Sequence, residues 1–382
     1  MRERDPASHI RQTQIHHQQA AMPLKPVTSE PEAPNAALDL TIIVPCRNEA
    51  RYIEAFVQSL MAQELEGYRW EAIIADGESD DGTREKLARC TAGLPVRVID
   101  NPARIVSTGL NQAIREARGR IVLRMDLHTE YAPDYARRCV RALQRTGARN
   151  VGGPARTKAS GTIGAAIAAA YHSPFSCGGA RFHDPSYEGW VDTVTYGCWE
   201  KSYLQALGSF DEDLVRNQDD ELNLRIIRSG GKIWQDPEIR SWYSPRNSLR
   251  ALFRQYMQYG FWKVAVIRKH RLPASWRHLV PGAFAAANLL FAAAVAGAAL
   301  VDSKLAAVPA AGWLAMWAAY MALAAAASVQ AARRDGWALL PVLPVVFATF
   351  HIAYGLGFLA GLVRWRTFDR PVRQAAFTAL SR

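Results

Sequence analysis

Apolar and polar positions change their rhythm twice along this chain. From Leu38, short apolar runs alternate with amphipathic stretches. Residues 38–44 read as a buried strand. Residues 48–62 read as a helix, because Ile53, Phe56, Val57, Leu60 and Met61 fall on one face at a period of about 3.6 residues. Residues 70–75, 96–100 and 120–125 repeat the strand pattern, and residues 81–90, 106–118 and 133–144 the helical one. Gly119 stands where a left-handed helix terminator is expected. Alternation at this spacing predicts parallel strands with crossover helices, an open α/β sheet whose ligands bind beyond the carboxyl ends of its strands. After Val151-Gly-Gly-Pro154 the rhythm weakens. Residues 171–190, rich in glycine and aromatic side chains, read as a long functional loop.

Beyond residue 278 the amphipathic period disappears. Residues 281–301 and 305–329 carry no charge, and residues 338–363 hold only His351 as a titratable group. Each run is long enough to cross a hydrocarbon core of about 30 Å, at about 1.5 Å per helical residue. Four regions result. Residues 1–37 are polar, rich in Gln, His and Pro, lack the apolar core of a secretory signal, and are expected to be a disordered tail. Residues 38–278 form the α/β domain, residues 279–363 a membrane domain of about three transmembrane helices, and residues 364–382 a basic tail. Pro341 and Pro344 raise the expectation of a bent or re-entrant last segment.

Charge sharpens this plan. The formal net charge is +11, and it is unevenly spread. No Asp or Glu occurs between Glu238 and Asp302, while nine Lys or Arg lie from Arg240 to Arg277. Such a flank before a first span is held on the cytoplasmic side of an inner or plasma membrane. It also attracts anionic headgroups, at about 1 kcal/mol per charge. A basic stretch can serve nucleic acid, but direct continuation into a span, with no nucleic-acid-binding motif, favours lipid or a lipid diphosphate. The five cysteines show no C-x-x-C spacing and are odd in number, as expected of unpaired thiols in a reducing cytosol.

The conspicuous polar residues fall at the predicted strand ends: Arg47-Asn48-Glu49, Asp76-Gly77, Asn101-Pro102 and Asp126. In Ile121-Val-Leu-Arg-Met-Asp-Leu-His128, Asp126 and His128 are two apart, so an extended strand would turn both to one face. A carboxylate suits Mg²⁺ or Mn²⁺, and imidazole shifts the preference toward Mn²⁺; a cation there would hold a nucleotide diphosphate. Asp76 is placed to accept a hydrogen bond from the ring N–H of a uracil or guanine. Asp80, Asp81 and Thr83 read more simply as turn and cap residues. A second acidic cluster, Asp219-Asp220-Glu221, precedes the helical face Leu222-Asn-Leu-Arg-Ile-Ile. Three acids suit a helix N-terminus, and a carboxylate anchored there could also deprotonate an acceptor hydroxyl.

Together, Ile43-Val-Pro-Cys-Arg-Asn-Glu49, the Asp-Gly-x-Ser-x-Asp-Gly-Thr at 76–83, Asp-x-His at 126–128 and Gln218-Asp-Asp-Glu-Leu222 resemble a family 2 glycosyltransferase over about residues 39–262. Arg216-Asn-Gln-Asp-Asp-Glu221, Arg254-Gln-Tyr-x-x-Tyr-Gly-x-Trp-Lys263 and the apolar tail resemble its succinoglycan-type (ExoA-like) branch. The resemblance implies the glycosyltransferase A fold, a Rossmann-like nucleotide-binding sandwich, and sugar transfer with inversion at the anomeric carbon. Asp76 matches the base contact. Pro45, Arg47 and Glu49 match the donor-site loop, and Asp126 matches the first acid of the metal motif. His128 stands where most relatives have a second Asp. The general base matches Asp219 when the alignment runs through Leu222 and Arg225; Asp220 is the register alternative. Gln258 and Trp262 match acceptor-site positions of the Gln-x-x-Arg-Trp motif of processive synthases, and Phe261 replaces its Arg.

The expected protein is therefore a membrane-anchored, metal-dependent inverting hexosyltransferase. The expected donor is a nucleotide sugar, UDP-linked in the first instance. The expected acceptor is a polyprenyl-diphosphate-linked saccharide in exopolysaccharide or cell-envelope glycan synthesis, with polysaccharide-assembly partners. A processive membrane β-glycan synthase is the rival within the class. The missing Arg and the scarcity of spans for a polymer channel argue against it. A non-catalytic nucleotide-sugar or lipid-binding membrane protein is the rival outside the class, and intact Asp126, Asp219 and Asp220 argue against that.

Overall fold

The computed structural model of the protein describes residues 38–367. The expected tails, residues 1–37 and most of 364–382, lie outside the described residues. The first half runs β1 (Leu38–Cys46), α1 (Ile53–Met61), β2 (Trp70–Asp76), α2 (Thr83–Cys90), β3 (Val96–Asp100), α3 (Val106–Glu116) and β4 (Gly119–Arg124). It continues with β5 (Thr129–Tyr131), α4 (Tyr135–Thr146), β6 (Asn150–Gly153), α5 (Gly161–Tyr171) and α6 (Pro174–Cys177). The second half holds β7 (Gly189–Val191), β8 (Thr195–Glu200), α7 (Lys201–Ala206), α8 (Gln218–Arg228), β9 (Ile233–Gln235) and β10 (Ser241–Tyr243). Four long helices follow: α9 (Leu249–His270), α10 (Val280–Val301), α11 (Ala307–Asp335) and α12 (Leu343–Thr367).

Eight strands form one sheet in the order β3-β2-β1-β4-β8-β6-β9-β7. The first four are parallel, as the alternation predicts. β8 then runs antiparallel to both β4 and β6, which makes the sheet mixed. Period-two alternation sorts the core. Leu40, Ile42 and Val44 of β1 pack on one face with Ile53, Phe56 and Leu60 of α1, and Ile43 packs on the other with Leu110 and Ile114 of α3 and Leu222 of α8.

Gly119 does not terminate α3. It opens β4, where an added Cβ would lie 2.3 Å from the Thr41 backbone nitrogen, so the close approach of β4 to β1 demands glycine. α1 begins later than expected, at Ile53, because the loop before it is tied to the β2–α2 turn: Asn48 donates to Asp80 (2.9 Å) and Ala50 N–H to Asp81 (3.2 Å). Asp80, Asp81 and Thr83 thus act as turn and cap residues.

Three helices are long and apolar enough to cross a membrane: Trp276–Val301, Ala307–Asp335 and Leu343–Trp365. Leu290, Leu300, Val308 and Leu314 on the first two point outward, as lipid-facing side chains do. The third is different. Its neighbour α9 meets it along glycines: a Cβ at Gly260 would lie 2.0 Å from the Tyr354 carbonyl oxygen, and one at Gly357 1.9 Å from that of Met257. Small residues let the two backbones touch. Pro344 falls in the first turn of α12 and Pro341 before it, positions that leave the helix unbroken. The catalytic and membrane parts, expected to divide at residue 278, share this packing. Cys46, Cys90, Cys139 and Cys198 are free thiols.

Candidate active site

A cavity of about 540 Å³ opens beyond the carboxyl ends of β1 and β4. Pro45 and Arg47 line it where β1 ends, Asp126 and His128 where β4 ends, and Asp219 and Asp220 at the start of α8. It continues between Tyr256, Tyr259 and Lys263 of α9 and Phe350, His351 and Tyr354 of α12. Tyr171, Gly178, Ala180 and Phe182 also line it, so the glycine- and aromatic-rich segment predicted as a functional loop does border the site, although α6 and β7 are built from it.

At the donor end, the Arg47 guanidinium donates to the Gly77 carbonyl. Asp76 is fully buried and off the cavity wall. Its carboxylate accepts from Ser79 Oγ at 2.6 Å and faces Arg84 Nε at 2.7 Å. Glu49 is also buried and off the wall, with its backbone N–H donating to Thr83 Oγ1 at 2.8 Å.

Asp126 and His128 reach the cavity by a different route from the one the alternation suggested. β4 stops at Arg124, and residues 125–128 turn, with Thr129 N–H donating to the Asp126 carbonyl at 3.2 Å. The two side chains share the cavity because the chain folds back, not because they lie on one face of a strand. Tyr131 Oη accepts from the Asp126 N–H at 2.6 Å and fixes the turn. Burial holds the His128 imidazole below its ordinary pKa, against the pull of Asp126, so it is neutral at pH 7. Its Nδ1 faces Glu49 Oε1 at 3.4 Å. A neutral imidazole backed by a carboxylate is the usual setting of a metal-binding histidine. Among the described residues no three His, Cys, Asp or Glu side chains converge on one point. Asp126 and His128 both line the cavity, a carboxylate and an imidazole of the kinds that ligate Mn²⁺.

α8 supplies the second pair of acids. Its N-cap, Asn217, takes a left-handed conformation (φ 62°) that turns the first helical turn into the cavity. Asp219 Oδ1 accepts from Arg124 Nη1 at 2.6 Å, and Asp220 Oδ2 from Lys263 Nζ at 2.7 Å. Burial raises the Asp219 carboxyl, and Arg124 only partly offsets it. Burial is the largest single influence on Asp220 too, but the Lys263 ammonium, His278 and Arg277 together outweigh it and hold that carboxyl low. Adjacent acids whose pKa values are pushed apart take different roles. Asp219 is thus the more basic of the two carboxylates, and Asp220 the more acidic. Glu221 is fully buried against Arg225 (2.9 Å) and His270 (2.9 Å), where it anchors α8.

Gln258 and Trp262 are not brought into the cavity. Gln258 Oε1 accepts from Arg216 Nε at 3.1 Å, and Trp262 packs between Phe261 and Trp365. From α9 it is Tyr256, Tyr259 and Lys263 that face the cavity. Sequence reasoning missed these and Arg124. An arginine inside the apolar run Ile121-Val-Leu-Arg-Met was the available signal for the latter. Tyr196, whose Oη lies 2.5 Å from Thr129 Oγ1 and whose φ is 62°, carried none.

Residues 41–170 match the family described as glycosyl transferase family 2. The chain is 32% identical over 331 residues to the succinoglycan biosynthesis protein ExoA of Rhizobium meliloti (strain 1021), covering 85% of this chain and 95% of that protein. The chain belongs to glycosyltransferase family 2. This family 2 glycosyltransferase is also 28% identical, over 62% of its length and 76% of the relative's, to a Methanococcus voltae enzyme. That enzyme is named dolichyl N-acetyl-alpha-D-glucosaminyl phosphate 3-beta-D-2,3-diacetamido-2,3-dideoxy-beta-D-glucuronosyltransferase. The glycosyltransferase A fold of this chain is shared with the mannosyltransferase PcManGT from Pyrobaculum calidifontis, solved in complex with GDP-Man and Mn²⁺. The TM-score is 0.53 at 20% identity, over 85% of this chain and 88% of that one.

Proposed function

We propose that this glycosyltransferase moves a hexose, with inversion, from a nucleotide sugar to a lipid-linked saccharide at the cytoplasmic face of the plasma membrane. The observation that carries the reading is the continuity of the cavity. One space runs from the strand ends, where family 2 enzymes hold their donors, to Phe350 and Tyr354 on a helix apolar enough to span a bilayer. An acceptor whose saccharide must meet the donor while its tail stays in lipid needs that path. The expected UDP linkage and polyprenyl-diphosphate carrier belong to this proposal. The ExoA likeness and the dolichyl-linked acceptor in the archaeal relative's name support a lipid-linked acceptor.

In the mechanism, Pro45 and Arg47 border the donor, and Asp126 with neutral His128 would hold Mg²⁺ or Mn²⁺. When bound, that cation would neutralise charge on the leaving diphosphate. Asp219 accepts the proton of the attacking hydroxyl, the acceptor-side half of an inverting displacement. Arg124 and Lys263 hold the two acids apart, so that the base carboxylate points into the cavity. Tyr256 and Tyr259 offer aromatic surfaces to a sugar on the acceptor side. A transfer screen tests the proposal: radiolabelled nucleotide sugars, full-length enzyme and native lipid extract. Label entering the organic phase is expected with one donor. Label entering only water-soluble polymer or protein would refute the lipid-linked acceptor.

A further inference from the structure

We propose that Arg124 is a built-in counter-ion for Asp126. In the donor-free enzyme it stands in for the divalent cation, so the metal loads together with a nucleotide diphosphate rather than ahead of it. The proposal rests on the reading of Asp126 as the cation's ligand. Arg124 is the last residue of β4, 5% exposed. Its Nε and Nη2 donate to both carboxylate oxygens of Asp126, at 2.8 and 3.0 Å, and its Nη1 donates to Asp219 at 2.6 Å. A two-pronged guanidinium–carboxylate pair is a strong and geometrically specific contact. The Tyr196 ring flanks the guanidinium at 5.9 Å, held there by a left-handed backbone that bulky residues rarely adopt. Arg124 is thus caged on several sides by features built to receive it.

The consequence is electrostatic. The two acids that bracket the reaction share one desolvated positive charge. A divalent cation arriving alone at Asp126 must compete with the fork for both oxygens and sit beside a fixed cation in a poorly screened cavity. A diphosphate arriving with it supplies the missing negative charge. Arg124 can then yield Asp126 while keeping its third hydrogen bond, the one to Asp219. Its role is that of a positioning residue, acting through the two carboxylates.

Mn²⁺ binding, followed by electron paramagnetic resonance on the full-length protein in nanodiscs, tests this without any turnover. Wild type is expected to bind Mn²⁺ weakly alone and at least about tenfold more tightly with UDP or GDP present. Without nucleotide, R124Q is expected to bind Mn²⁺ at least about tenfold more tightly than wild type, a change of about 1.4 kcal/mol. R124K, which keeps a charge but cannot reach both acids as a fork, is expected to fall between. The double variant R124Q/D126N should lose the gain. Equal Mn²⁺ affinity in wild type and in R124Q, with native near-ultraviolet circular dichroism, overturns the proposal. So does wild-type binding that is unaffected by either nucleotide, a result that needs no variant. If D126N abolishes binding while R124Q gains nothing, only the role of Arg124 falls. If D126N leaves binding unchanged, the assignment of the cation to Asp126 falls with it.

Discussion

Replacing Asp219 and Asp220 by asparagine, one at a time, should separate chemistry from stability at two adjacent positions. Asp219→Asn keeps a carbonyl oxygen to accept from Arg124, which the native carboxylate does at 2.6 Å, so folding and donor binding should persist. The amide cannot take a proton, and turnover should fall by about 10²–10⁴-fold, the usual worth of a positioned base. Asp220 is different in what its partner keeps: Arg124 and Lys263 are both 6% exposed, but Arg124 still bonds Asp126 when Asp219 is changed, whereas Lys263 loses the carboxylate that it bonds at 2.7 Å. Removing one side of a fully buried pair costs about 3–5 kcal/mol. The Asp220 side chain, however, is 38% exposed to the cavity, so screening lowers the expected cost to about 2 kcal/mol. For a domain of this size that is roughly 4–8 °C in Tm. Calorimetric donor titration, initial rates of label transfer and differential scanning fluorimetry on both variants give the three readouts. The reasoning fails if the Asp219→Asn variant retains more than about a tenth of wild-type turnover. It also fails if Asp220→Asn loses turnover with its Tm unchanged, which would move the base by one residue.

Because burial raises the Asp219 carboxyl and the base must be ionised to act, the acid limb of kcat should lie above the ordinary Asp value of about 3.9; a midpoint below that value would contradict the assignment. Burial alone would raise Glu221, but its bonds from Arg225 and Lys269 leave its pKa lowered, so its stabilising contribution is present in full above about pH 4.5 and lost as the pH falls. The stability deficit of Glu221→Gln, read by urea titration, should therefore shrink below that pH. Gly357→Leu places a side chain where even a Cβ would lie 1.9 Å from the Met257 carbonyl, forcing α12 off α9; transfer to lipid should drop steeply while the mixed sheet stays folded. A chain ending at residue 278 would expose the faces of Leu252, Phe261 and Trp262 that α12 covers, and is expected to elute as an aggregate in size-exclusion chromatography rather than as a soluble enzyme.

The alternation from Leu38 to Gln144 was enough to give the parallel half of the sheet, because each strand–helix unit there is local and carries its own period. The apolar runs after residue 278 likewise gave the three long helices, since their length and lack of charge are properties of each run alone. Motif order named the family and brought Pro45, Arg47, Asp126, His128, Asp219 and Asp220 to one cavity. What the chain alone could not decide depends on which segments meet. β8 enters antiparallel between β4 and β6, a pairing set by residues far apart along the chain, such as Leu123 and Cys198. Gly119 looked like a helix cap because its neighbour in space, Thr41, is distant in sequence. Asp126 and His128 converge through a turn that Tyr131 fixes. Gln258 and Trp262 carry a familiar spacing, yet α9 turns them inward because Gly260 must face α12. The pairing of Arg124 with both Asp126 and Asp219, and of Lys263 with Asp220, sets how far burial is offset at each carboxyl, and with it the base assignment proposed above. That assignment rests on charges brought within hydrogen-bond reach by the fold, and a pattern read along the chain holds no distances.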